Sequence, residues 1–291
     1  MIGLLLGTLR TATPLLFAGL GGMFSERGGV VNIALEGILL VGAFAAAATA
    51  YYSGSPWLGV VAAVAAGTGL AALHALVSLR FRVDQIVSGV ALNMLAMGAT
   101  EFLMWIFFGS GSNSPRLDSP GLPGAAGRLP VELPPLTLLA LLAVPASSWL
   151  LFRSRFGLRL RAVGEHPEAA DSLGLPVHRL QLYGVLLSGA LAGAGGAFLS
   201  LNAHYFVKNM SAGRGFIALA ALIFGKWRPA GVLGATLLFG FAESLQGHLD
   251  LPWLPVRMVQ LLPYLLTMVA LVGVIGRCRA PAAVGRLFVK D

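Results

Sequence analysis

The sequence predicts an all-α fold, a polytopic transmembrane helix bundle of about eight to nine spans, some of them broken or short. Three observations predict it. Of the 291 residues, 57% are hydrophobic and 11% charged, far from the mixture of a water-soluble globular domain. The apolar residues are gathered into runs of roughly 20, the length at which a helix crosses the hydrocarbon layer. The connections between those runs hold most of the 20 Lys and Arg, and the formal net charge is +8. A basic excess scattered in this way, with no basic helix and no interleaved aromatic ladder, fits membrane topology and argues against a nucleic-acid partner.

Taken in order, the runs place spans near Ile2–Met23, Val30–Ala50, Trp57–Leu79, Ile86–Phe108, Leu136–Phe152, Leu180–Leu201, Gly231–Gln246 and Met258–Ile275. The first lacks the Lys/Arg-rich start of a cleaved signal peptide and reads as a retained span. A ninth run, Phe216–Phe224, is too short to cross alone, since nine residues rise only about 14 Å. It is half of a broken helix or a re-entrant piece. The longest connection, residues 109–135, is rich in Gly, Pro and Ser and builds no core of its own. It reads as an external cap or partner-facing loop, so residues 1–291 form a single membrane domain. Gly189 and Gly193, and Ala230 and Gly234, are pairs of small residues four apart, the spacing that lets membrane helices approach closely.

Basic residues set the orientation. If residues 25–29, 80–83, 153–179, 226–229 and 276–291 are cytoplasmic, they hold 14 of the 20 Lys and Arg, while the opposite connections hold five and Arg10 lies within the first span. The bias places segment 153–179 and the C-terminus inside and the N-terminus outside, and it requires Phe216–Phe224 to reach the cytoplasmic surface. The one cysteine, Cys278, excludes an intrachain disulfide and a cysteine-based zinc site. Lying beside the last span, it reads as an incidental thiol, with palmitoylation the alternative.

Segment 153–179 is the one long, strongly charged stretch between apolar runs. Pro167 suits a first helical position and Gly174 the position just past a helix end, so the two bracket a short helix over Pro167–Leu173. Glu165, Glu168 and Asp171 sit at or near its start, where the helix dipole favours negative charge. A capped helix with a charged surround between two spans points to a docking element for a soluble partner. A solvated loop with a surface helix is the alternative.

Other chemistry is absent or weak. The nearest approach to a phosphate-binding loop, Gly225-Lys226-Trp227, has Trp where the hydroxyl belongs and no Gly five residues before Gly225. The five histidines are never paired at metal spacing, and no nucleophile elbow or close carboxylate pair stands in a span, so the chain reads as a non-enzyme without cofactor or metal. Polar groups within spans are costly and informative. Asn32 and Glu36 share a helix face, Glu101 stands in the fourth span two turns after Asn93, and Glu243 and His74 lie near span ends. These residues line a polar pathway or gate; alternatively each carboxylate caps a broken helix or pairs with an arginine. ERGGVVNIALEGILLVG and AGRGFIALAALIFG both run Arg-Gly into an Ala-Leu-containing apolar stretch that ends in Gly, the mark of two Gly-broken helices in equivalent positions of two halves.

The runs FSERGGVVNIALEGILLVGAF, RLRAVGEHPEAADSLGLPVHRLQLYGVLLSGALAGAGGAFLSL and GRGFIALAALIFGKWRPAGVLGATLLFGF resemble, in order and over most of the chain, the inner-membrane permeases of ABC importers for simple sugars, nucleosides and branched-chain amino acids. The first run looks most like the nucleoside branch. Ribose-type permeases carry a Gly-Gly-Thr-Ser-like sequence where this chain has Phe224–Pro229, which weakens a pentose assignment. The resemblance implies a coupling helix within 153–179 that docks in a groove of a cytoplasmic ABC ATPase. Gly164, Glu165, Pro167, Ala169, Ala170 and Gly174 match the family pattern R-A-x-G-x-x-P-x-A-A-x-x-x-G, with His166, Glu168, Asp171 and Leu173 between them. His166 stands where an Asn is frequent. Ala169 and Ala170 offer a small face for close approach to the ATPase. The resemblance further implies a second, similar but non-identical permease and an external substrate-binding lipoprotein. An ion-coupled secondary transporter, motivated by Glu36, Glu101 and Glu243, is the competing class.

Overall fold

The computed structural model describes residues 2–117, 134–248 and 279–288. The expected span Met258–Ile275, Cys278 and most of the 109–135 connection lie outside the described residues. Ten α-helices follow one another among them: α1 (Ile2–Arg27), α2 (Leu35–Ser53), α3 (Pro56–Ala75), α4 (Gln85–Phe108), α5 (Pro135–Phe152), α6 (Arg155–Glu165), α7 (Pro167–Ser172), α8 (Val177–Ala203), α9 (Arg214–Phe224) and α10 (Pro229–His248). A single π-helical turn, Leu76–Arg80, extends α3. The described residues form no strand beyond one isolated bridge between Asn113 and Val207. The all-α expectation holds.

Six of these helices, α1 to α5 and α8, are long and apolar enough to cross a membrane. They divide into an inner and an outer set. About two-thirds of α2 and α8 and over half of α1 are buried within the protein, against about a third or less of α3, α4 and α5. The outer helices present a continuous apolar surface, with Met94, Phe102, Trp105 and Trp149 well exposed.

At 27 residues α8 is the longest of the described helices, and α1, α2 and α3 pack around it. Lipid is as apolar as a leucine side chain, so burial supplies little drive between spans, and association rests on close backbone approach. Gly189 and Gly193 behave as the sequence predicts. Gly67 on α3 lies against the Gly189 carbonyl, and a methyl group at Gly42 on α2 would stand 2.8 Å from the Gly193 carbonyl oxygen. Gly196 is tighter still, facing the Leu39 carbonyl and the Ala43 amide of α2. The Ala230/Gly234 pair meets no neighbouring helix at Gly234 among the described residues, and Gly231 abuts Gly225 across the α9–α10 turn.

A correction concerns α2. Hydropathy starts that span at Val30, but residues 28–34 are non-helical and helix begins at Leu35. Likewise residues 204–213 leave the end of α8 without helical structure before α9 begins. Both helices therefore start inside the fold. Packing gives their directions: Gly19 lies against Ala218, Gly22 against Leu219 and Leu222, and Arg27 bonds to Trp227, so α9 runs parallel to α1. Gly22 also meets Leu35, while Gly195 touches both Phe17 and Leu39, so α2 runs antiparallel to α1. The two helices thus diverge from a common interior level, α9 towards the end that carries α6 and α7 and α2 towards the opposite end. The short run Phe216–Phe224 is half of a broken crossing, and it reaches the end that carries α6 and α7.

Replacing Gly196 by Val is expected to destabilise the fold by about 3 kcal/mol or more through backbone overlap with α2. The same change at Gly69, which faces open space, is expected to be neutral. Thermal unfolding of the two detergent-extracted variants, run side by side, checks the pair.

Candidate functional site

Two places carry the chemistry, an elbow at one end and a polar junction in the interior. The elbow begins with α6, whose Ser154 hydroxyl accepts from the Gly157 amide at 3.1 Å. Arg161 of α6 stacks over the Phe152 ring. His166 then breaks the helix with φ −144° and ψ 85°, and Pro167 opens α7. The imidazole of His166 makes no capping bond, so proline rather than the side chain before it sets the start. Gly174 closes α7 in the left-handed region at φ 81°, where glycine carries no steric penalty.

Burial sorts the predicted coupling residues into two groups. Gly164, Pro167 and Ala170 face inward. Gly164 sits directly on the Arg27 carbonyl, and its own carbonyl accepts from the Ala283 amide at 2.9 Å. Glu165, His166, Glu168, Ala169, Leu173 and Gly174 are exposed, and Asp171 is half-buried. Leu173 stands out at the tip, 81% exposed. Ala169 and Ala170 therefore share no outward face, because Ala170 belongs to the core with Val163 and Val177. The segment 279–288 packs along this elbow, with Ala282 donating to the Glu165 carboxylate and Gly285 to the Gly29 carbonyl.

In the interior, the structure brings Asn32, Glu36 and Asn93 to the start of α2 and leaves Glu101 elsewhere. The Glu36 carboxylate accepts from the Gly213 amide at 2.8 Å and the Gly215 amide at 2.7 Å, closing the exposed N-terminus of α9. Gly215 lies against the Glu36 backbone with no room for a side chain. Asn93 of α4 donates to the Ile33 carbonyl and accepts from the Gly37 amide at 2.8 Å, bracketing the point where α2 starts. Asn32 is fully buried and donates to Ser188 of α8 at 2.9 Å.

Sequence reasoning missed Gln85 and the Glu26–Trp227 pair, and it named His74 without its partners. Gln85 accepts from the Val31 amide at 2.7 Å, and Trp227 donates its indole N–H to Glu26 at 2.6 Å. His74 bridges Ser88 and the Val31 carbonyl, each at 3.0 Å; a carbonyl only accepts, so Nε2 carries a proton. The available signal was a set of polar side chains at span ends whose spacing matched the non-helical turns. Glu101, half-exposed on α4, pairs with Lys208, and Glu243 of α10 pairs with Arg214 at 2.7 Å. All three carboxylates that motivated an ion-coupled mechanism thus have protein partners. No group of three metal-binding side chains forms among the described residues.

Comparison with known proteins matches residues 4–271 to the family described as branched-chain amino acid transport system / permease component. The guanosine ABC transporter permease protein NupQ of Bacillus subtilis (strain 168) is 44% identical, over 97% of this chain and 95% of its own. The nucleoside ABC transporter permease protein NupC of Lactococcus lactis subsp. cremoris is 38% identical, over 96% of this chain and 94% of its own. TsgC13 of Haloferax volcanii, whose name provisionally makes it a glucose ABC transporter permease protein, is 41% identical over 84% and 77%.

Substituting Glu36 by Ala leaves the buried Gly215 amide and the half-buried Gly213 amide unpaired and is expected to cost about 3 kcal/mol. Gly215→Ala is expected to do comparable harm by pushing the two helix starts apart. Amide hydrogen exchange over α9 would report both, as faster exchange confined first to residues 213–217.

Proposed function

The chain belongs to the family described as branched-chain amino acid transport system / permease component, and from that premise we propose that it forms the translocation pathway for a nucleoside, or a related small sugar-containing solute, in an ATP-driven importer. The observation that carries the substrate reading is the near-full-length identity to NupQ and NupC, whose names give guanosine and nucleosides. Simple sugars and branched-chain amino acids are the competing cargoes. The chain itself is a multi-pass membrane permease and not an enzyme.

ATP hydrolysis falls to a separate cytoplasmic ABC ATPase that docks on the elbow. Exposed Glu165, His166, Glu168, Ala169 and Leu173 touch it, while Gly164, Pro167 and Ala170 lock the elbow to α1 and α8 and pass its displacement inward. Asp171 and Gly174 shape the turn. Leu173 is the anchor, since a fully exposed leucine at the tip of a rigid turn is an unpartnered apolar knob. Basic-residue asymmetry puts the elbow and the segment packed on it in the cytoplasm of a cell whose inner or plasma membrane holds the chain. Asn32, Glu36 and Asn93 act on the pathway through the start of α2, as positioning groups, and Glu101 lies on its exposed side. A second, similar but non-identical permease completes the pathway, and an external lipoprotein delivers the solute.

Leu173→Asp is expected to lower uptake and ATPase co-purification about tenfold or more while leaving membrane content unchanged. Glu165→Lys combined with Ala169→Arg is expected to do the same. Normal uptake in both variants would sink the docking assignment. Titrating the co-purifying binding protein with guanosine, glucose and leucine tests the cargo; tight binding of leucine without nucleoside overturns it.

A further inference from the structure

A groove of about 470 Å³ opens between the end of α3 and the start of α8, at the elbow end of the molecule. Four basic side chains, Arg80, Arg82, His178 and Arg179, stand around it over a floor that includes Leu79 and Leu182. All four are exposed, and none has a carboxylate partner among the described residues, where the ion pairs are Lys208–Glu101 and Arg214–Glu243. His178 and Arg179 occupy the first turn of α8, which contains no acidic residue. The helix dipole is positive there and opposes them. The other wall is equally unusual. The π-helical turn Leu76–Arg80 widens the end of α3, with Phe81 and Val83 donating back to Leu76 and Val77. Arg82 is held in the left-handed region at φ 58°, a costly conformation for a residue with a Cβ.

We propose that this groove binds the headgroup of an anionic phospholipid. An anion between the two walls would neutralise three clustered guanidinium groups and the positive end of α8 together, with the His178 ring as a further polar contact. The shared chemistry is that of a phosphate, and the rest of the groove selects the lipid. Its floor is apolar and merges with the outer surface of α3, and Phe81, 67% exposed between the two arginines, continues that surface at the rim. A free phosphate has no use for such a floor, whereas an acyl chain lies along it with its headgroup among the guanidinium groups. The site is independent of which solute the chain carries.

Native mass spectrometry of the intact permease–ATPase complex, released from nanodiscs of phosphatidylcholine and phosphatidylglycerol in equal parts, tests this. The parent complex is expected to retain phosphatidylglycerol. The triple variant Arg80→Gln, Arg82→Gln, Arg179→Gln is expected to retain on the order of a hundredfold less, and the matching Arg→Lys triple to keep the parent level. Arg179→Gln alone, at an exposed position, carries the same test with a drop of about fivefold. Equal phosphatidylglycerol in parent and Gln variants overturns the proposal. So does its displacement by inorganic phosphate alone. Loss of the ATPase with lipid retained would show the groove to be a protein contact, and overturns it as well.

Discussion

Backbone amides and carbonyls away from water need a partner, and in a protein that spans a membrane this constraint is severe. Helices meet it internally; residues 28–34 and 204–213 do not. The first stretch is served by side chains from its neighbours: Gln85 takes the Val31 amide, His74 the Val31 carbonyl and Asn93 the Ile33 carbonyl. The second is served partly by an extended pairing with residues 112–117, through bonds such as Lys208 to the Ser112 carbonyl and Ser114 to the Phe206 carbonyl. Glu36 finishes the task at the start of α9. Because the Glu36 carboxylate bonds the Gly213 amide 177 residues later, at the mouth of α9, the two broken crossings are one structural unit.

That unit is held in place by packing of an unusual evenness. The inner helices α1, α2 and α8 touch through glycine and alanine, so backbone meets backbone with little side chain between. Close packing of this kind resists sliding, since a shift of one small residue along the contact brings a larger one into a space that has no room. Of the outer helices, α3 shares such contacts with α8 through Gly67 and with α2 through Gly59, while α4 and α5 turn most of their bulk outward.

The long helices were legible because apolar length is a direct consequence of membrane thickness. The elbow was legible for a different reason: Pro167 and Gly174 act on their own backbone, so local chemistry marks the ends of α7 without reference to the rest of the chain. What failed needed tertiary knowledge. Val30–Ala34 is as apolar as a helix, and only Gln85, His74 and Asn93, distant in sequence, make a non-helical path there affordable. Small residues four apart mark a possible contact and not its partner: Gly189 and Gly193 meet α3 and α2, helices far from them in sequence. For the polar residues of the spans, sequence left two readings open, and the structure gives Glu36 and Glu243 the bonds of the second: a capped helix and an arginine pair. Ala170 shows the limit at the elbow, since adjacent residues on a helix point about 100° apart and two neighbours seldom share a face.

Arg27 sits where three parts of the molecule meet. Its carbonyl supports Gly164 of the elbow, its guanidinium holds the Trp227 carbonyl at 2.8 Å, and the adjacent Glu26 takes the Trp227 indole. Helix α9 is therefore tethered at both ends, to this residue pair below and to Glu36 above. A rod fixed at both ends transmits axial push and pull without storing much of either. A tilt of the elbow therefore has a continuous path to the origin of α2, through the Trp227 turn and about 16 Å of α9, that crosses no lipid.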